Sequence, residues 1–223
     1  MAWKKAVRIH ILSKFKALTA GHEIQRYLAS HAHPRINVGC GSNLIKDWLN
    51  VDLYPHFGAT RVDGASAWPF ADGTFQACLC EHMIEHVPKR IGAELVSEVF
   101  RVLRPGGVLR VVTPDLGFFA RCVQQPDPQV LQLYSTAVQN LLGRDTMSVC
   151  DLVNEVFYNH GHRYIYSVDE LATVLTRAGF SELRIGRGGE PFATDFKGVE
   201  GHPRLMGWEA NRFEAMGIEA RKP

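Results

Sequence analysis

The chain has 223 residues, 46% of them hydrophobic and 22% charged, with a formal net charge of +2. That suits one domain with a well-buried core, and no apolar run reaches the length of a membrane-spanning helix. Residues 1–33 hold six Lys/Arg against one acid, so the remainder is slightly acidic and excludes a nucleic-acid-binding body by bulk charge. The five cysteines, an odd number with no Cys-x-x-Cys pair, argue for a reducing compartment, a cytoplasmic location and no disulfide framework.

Trp3, Val7, Ile11, Phe15 and Leu18 recur at helical spacing, with Lys4, Lys5, Arg8, Lys14 and Lys16 at other positions. Two readings of this basic amphipathic segment stay open: packing on the domain, or peripheral contact of residues 1–20 with an anionic membrane. Gly21 is expected to stop it, and a second short helix then runs through Ile24, Tyr27 and Leu28 to Pro34. Residues 1–33 form one unit and 34–223 the domain proper.

From Arg35 strand and helix signals alternate, which predicts a parallel sheet. The strand Arg35-Ile36-Asn37-Val38 runs into Gly39-Cys40-Gly41, and a second, Leu49-Asn50-Val51-Asp52, ends on an acid thirteen positions after Gly39. Glycines let a backbone approach a ligand closely, and an acid ending the next strand can accept from a ribose diol. Asn43 stands near the third glycine of a dinucleotide fingerprint, and the crossover is too short for a long helix facing a pyrophosphate. A nucleoside cofactor without phosphate fits better than NAD, and S-adenosylmethionine is the obvious candidate.

Further strands are predicted at 60–63, 75–80 and 108–112, the last two flanking a helix from Lys89 to Leu103 that stops at Arg104-Pro105-Gly106-Gly107. Cys78 and Cys80 read as small buried side chains, not metal ligands. Residues 117–160 are mostly helical, broken at Pro126-x-Pro128, and form an insertion over the carboxyl edge of the sheet. A helix from Val168 to Ala178 starts with Ser167 as N-cap and Glu170 as its capping-box partner. Strand 183–185, a Gly-rich loop and a short final edge strand, Gly217 to Lys222, close the chain.

The ordered phrases Asn37-Val38-Gly39-Cys40-Gly41, Asp52, Asp63, Trp68-Pro69-Phe70-Ala71-Asp72-Gly73-Thr74-Phe75, Glu81-His82-Met83-Ile84-Glu85-His86-Val87 and Glu98 to Gly107 resemble a class I S-adenosylmethionine-dependent methyltransferase of the type 11 kind. The resemblance implies an α/β, Rossmann-like, seven-stranded and mainly parallel sheet with helices on both faces, an antiparallel last strand and the helical insertion after strand five. It places Gly39, Cys40 and Gly41 under the amino-acid and ribose portion of the cofactor. Asp52, with Leu53 beside it, falls at the ribose, and Asp63 with Gly64 at the adenine. Glu81 and His82 fall by the methyl group. Two departures stand out: Asn37, counted with the cofactor contacts, where the family usually has an acid, so that hydrogen bonding survives and the charge is lost, and Gln76 where it usually has Asp.

Among the histidines, His82 lies nearest the expected methyl position and suits proton removal from an alcohol. His86 reads as structural. His160 and His162, in the run His160-Gly161-His162-Arg163-Tyr164-Ile165-Tyr166, read as catalytic or acceptor-gripping residues, with substrate contact and a packed loop both open and zinc the lesser alternative. The expected activity is O-methylation of a small-molecule or saccharide hydroxyl, in the manner of bacterial members acting on surface polysaccharides or secondary metabolites. N- or C-methylation and a non-catalytic cofactor-binding module are the alternatives.

Overall fold

The computed structural model describes residues 18–54, 58–63, 67–143 and 148–223. The basic segment expected over residues 1–17 and the adenine contact expected at Gly64 lie outside them. Among the described residues no helix is long and apolar enough to cross a membrane.

Seven strands form one sheet: β1 (Arg35–Val38), β2 (Leu49–Asp52), β3 (Thr60–Arg61), β4 (Phe75–Glu81), β5 (Leu103–Pro114), β6 (Ser181–Arg187) and β7 (Ala215–Arg221). Their order is β3-β2-β1-β4-β5-β7-β6. The pairs from β3 through β5 are parallel, whereas β7 runs antiparallel to both β5 and β6. The fold class is therefore the one expected, with one correction: β7 is interior, not an edge. Its register against β5 joins Val108 to Arg221 through Pro114 to Ala215, and residues 215–220 are all buried. Both neighbours are hydrogen-bonded to it, so the edge falls to β6. The third strand is also shorter than expected, since Val62 and Asp63 lie beyond it.

Alternation along the central strands makes two cores. Cys78, Cys80, Leu109 and Val111 face a large cluster completed by helix α1 (described over 18–30), α2 (Lys89–Val102) and α6 (Val168–Arg177). Ala77 and Leu79 face the other side, where Ile45, Trp48 and Phe196 cover them. The helical layer on that second face narrows to a 3-10 turn, Thr194–Phe196, because the ten residues between β1 and β2 hold no helix. Gly21 does not stop α1, which continues to residue 30; a single glycine costs only about 1 kcal/mol in a helix. Ser167 caps α6 by accepting from the Glu170 amide, while the Glu170 carboxylate turns to Lys89 on α2 at 2.5 Å.

The insertion starts at the carboxyl end of β5 as α3 (Leu116–Gln124), capped by Asp115, then α4 (Pro128–Leu142) and α5 (Val149–Asn154). A π-helical turn, Glu155–Asn159, follows. Phe118, Phe119, Tyr134, Leu152 and Val156 give it a core of its own, shared with Met206 and Ala210. Those two residues belong to α7 (His202–Met206) and α8 (Trp208–Glu214), helices that replace the expected Gly-rich loop before β7.

Candidate active site

Gly39 follows β1 with φ +66°, and a Cβ there would fall 2.1 Å from Met83 Cγ. Only glycine lets the turn close under the segment after β4. Gly41, φ +50°, donates its amide to Asp52 Oδ2 at 3.0 Å, and Asp52 Oδ1 accepts from the Tyr54 amide at 2.8 Å. The carboxylate thus ties the first turn to the second. Asn37 needs a correction. It is 1% exposed and gives its amide to Asn43 O (2.8 Å) and Asn50 Oδ1 (3.1 Å), so it braces the turn from beneath and stands outside the cavity. Gln76, the other departure, spans Asp195 and Arg104, holding the Thr194–Phe196 turn to the sheet.

Three cavities meet at the carboxyl ends of β1, β2 and β4. The first, about 320 Å³, is bounded by Gly39, Asp52, Leu53, Asp63, Trp68 and Met83. The second, about 330 Å³, lies over Gly39, Cys40, Gly41 and Asn43 and is closed by His202. The third, about 260 Å³, is walled by Glu85, His86, Tyr134, His160, His162 and Glu214. His82 alone, among the described residues, lines all three.

His82 is held under constraint. Its φ of +45° is rare for a residue with a Cβ, and its amide donates to Val112 O at 2.8 Å. Its Nδ1 lies 3.2 Å from the fully buried Glu85, and its Nε2 has no hydrogen-bond partner among the described residues. Burial opposes charging of this ring, but contact with Glu85 and the charges of Glu214 and Glu81 outweigh it, and the pKa is raised. Glu85 is likewise lowered: burial pushes it up, and His82 more than compensates.

A second histidine, not foreseen from the sequence, stacks on the first. His202 lies 3.6 Å from His82, ring centre to ring centre, with planes 22° apart. Its Nε2 is 2.8 Å from Glu214 Oε1. Burial and the neighbouring His82 depress its pKa. Glu81 fixes it in place. That carboxylate, which also lines the second cavity, accepts from the Gly201 and His202 amides (2.8 and 2.9 Å) and from Asn43 Nδ2 (3.1 Å). The signal for His202 was the run Gly201-His202-Pro203, with proline suited to the first turn of a helix.

His160 and His162 both line the third cavity. His160 Nε2 is 3.3 Å from Glu155, and His162 Nδ1 meets the Val156 carbonyl at 2.5 Å. Burial depresses the His162 pKa.

Residues 36–111 match a family model described as a methyltransferase domain. Among solved structures, the chain is similar to a S-adenosylmethionine-dependent methyltransferase from Archaeoglobus fulgidus, 16% identical over 93% of this chain and 94% of that one, TM-score 0.52. One from Thermotoga maritima is also 16% identical, over 99% and 96%, with TM-score 0.52. No curated protein matches. The fold is that of the class I S-adenosylmethionine-dependent methyltransferases. Residues 36–111, which carry β1, β2, β3, β4, α2 and most of β5, match the methyltransferase-domain model in sequence, and the rest of the chain follows the same fold.

The observed residues fit the cofactor. The Gly39 turn leaves backbone exposed where a side chain would collide with Met83, the two adjoining cavities form a trough across β1 and β2, and the described part of the trough carries no cluster of basic residues for a diphosphate. Gly39, Gly41, Asp52, Leu53 and Asp63 are the residues that would hold it.

Proposed function

We propose that this chain O-methylates a hydroxyl of a small molecule or saccharide seated in the histidine-walled cavity. S-adenosylmethionine, when bound, supplies a sulfonium methyl group: the acceptor oxygen forms the new C–O bond, the S–C bond breaks, and the hydroxyl proton departs. The protein contributes alignment of the reacting groups and exclusion of water. His82 supplies the proton acceptor through Nε2, with the Glu85 carboxylate 3.2 Å from Nδ1 favouring the charge the ring takes on. His160 and His162 grip the acceptor from the opposite wall. The cavity's modest size, about 260 Å³, favours a small acceptor or one terminal sugar residue.

The observation carrying this reading is the unpartnered Nε2 of His82 at the junction of the cofactor trough and the third cavity. A histidine with a purely structural task would have both nitrogens engaged. The test is methyl transfer from labelled cofactor to a panel of saccharide and small hydroxylated acceptors. His82→Ala is expected to lower turnover by about 10²–10⁴-fold with S-adenosylhomocysteine affinity near wild type. Unchanged turnover removes His82 from the role, and transfer only to amines or carbon acids overturns the O-methylation reading.

A further inference from the structure

We infer that Glu85, His86 and His162 form a binding site for a divalent transition-metal ion of the zinc class in the wall of the acceptor cavity. One donor atom from each lies within 4.8 Å of the others, and all three side chains line that cavity. Two imidazoles and one carboxylate are the donor set of open metal centres, which keep a position for water or substrate.

The details around each donor favour ligation. His162 Nδ1 faces the Val156 carbonyl, which fixes the tautomer with the proton on Nδ1 and leaves the Nε2 lone pair free to bind. A ligating histidine ordinarily shows this backbone contact on its other nitrogen. Glu85 Oε2 accepts from Thr113 Oγ1 at 2.9 Å, so the carboxylate is oriented. Its Oε1, although 3.2 Å from His82 Nδ1, accepts no hydrogen bond among the described residues. A fully buried carboxylate oxygen left in that state is costly unless something else meets it. The His86 ring stands 4.8 Å from His162 at 66°, so these two imidazoles are not stacked face to face. His86 is exposed and gives an ion a way in. The neighbouring trio His82, His202 and Glu214 is equally close. It is poorly suited, because its imidazoles lie face to face and His202 Nε2 is already taken by Glu214.

The binding site stands independently of the methyl-transfer reading; its chemical use rests on that reading. A hydroxyl bound at the open position becomes more acidic, and its oxygen is held within the cavity that His82 also lines, so that its proton passes to His82 Nε2.

The test uses the full chain, stripped with chelator and titrated with Co²⁺. The visible bands of a four- or five-coordinate ion are expected at one equivalent, and X-ray absorption of the Zn²⁺-loaded protein should show two imidazole ligands. His162→Ala and His86→Ala should each weaken Zn²⁺ binding by at least about tenfold, whereas His202→Ala should leave it within about twofold. Titration of S-adenosylhomocysteine into each variant reports whether the fold and cofactor site survive, separately from the metal. The proposal is overturned if wild type shows only the pale six-coordinate spectrum of the aqueous ion, if X-ray absorption finds no imidazole, or if His202→Ala and not His162→Ala abolishes binding.

Discussion

His82 and His202 stand ring against ring, 3.6 Å apart, each backed by its own buried glutamate. Two stacked imidazoles do not readily carry charge together, and their environments move them in opposite directions, His82 raised and His202 lowered. The pair joins the carboxyl end of β4 to the first turn of α7, two segments far apart in sequence. His202 acts as a wall that keeps the His82 ring turned toward the cavities. His202→Ala should lower kcat by about tenfold, ~1.4 kcal/mol, with cofactor affinity little changed. Steady-state kinetics beside a binding titration checks this; equal losses in both would make His202 a general support of the fold.

Glu214 contributes stability with a defined dependence on pH. Burial pushes its carboxyl up, but His202, the charge of His82 and the Tyr134 hydroxyl outweigh that, and its pKa is lowered from 4.5. A carboxylate depressed in the folded state stabilises above its unfolded pKa, and that contribution disappears as the pH falls through the folded value. The Tm advantage of wild type over Glu214→Gln should therefore hold above about pH 4.5 and shrink on further acidification. An advantage that grows as the pH falls contradicts the assignment.

Arg110 is fully buried, with Nε 2.7 Å from Glu200, Nη1 3.3 Å from Glu219 and Nη2 3.0 Å from the Arg187 carbonyl. Both carboxylates also take backbone amides, Glu200 from Gly189 and Glu219 from Phe192 and Ala193. The cluster anchors the segment that leads into Gly201 and His202. Removing the guanidinium strands two buried acids, and Arg110→Ala should cost about 3–5 kcal/mol in urea denaturation. A loss under about 1 kcal/mol, the scale of an exposed ion pair, would mean the acids are not desolvated.

Gly39→Ala meets two obstacles together: a left-handed φ of +66° and the Met83 side chain 2.1 Å from the new Cβ. The strain alone is about 1–3 kcal/mol, and relief requires Met83 to leave the trough wall. Lower Tm with weakened S-adenosylhomocysteine binding is the expected pair of results. Normal affinity would show that the turn does not shape the cofactor site.

The turn after β1 and its tie to Asp52 were legible in the sequence because their parts are local. Gly39 and Gly41 follow β1 directly, and Asp52 ends its neighbour β2, so their spacing alone brings them together. What the sequence did not reveal depends on contacts between residues far apart in it. Glu81 reads as a cofactor neighbour, and nothing near it in sequence shows that its oxygens also meet the Gly201 and His202 amides, 120 and 121 positions away. β7 reads as an edge because nothing within Gly217 to Lys222 tells that β5 and β6 will both pair with it. The helices at 202–206 and 208–214 are short and interrupted by Gly207, so no sustained helical period marks them. Asn37 reads as a cofactor contact from its family position alone, and nothing local shows that its amide meets Asn43 O and Asn50 Oδ1 at once.

The central claim is that the Gly39 turn and Asp52 jointly cradle the adenosine of the methyl donor. Isothermal titration of S-adenosylhomocysteine into wild type and Asp52→Ala tests it most directly. Saturable one-to-one binding by wild type, weakened by at least about tenfold in the variant, ~1.4 kcal/mol, is the predicted result. No binding by folded wild type, or equal affinity in the two proteins, would contradict it.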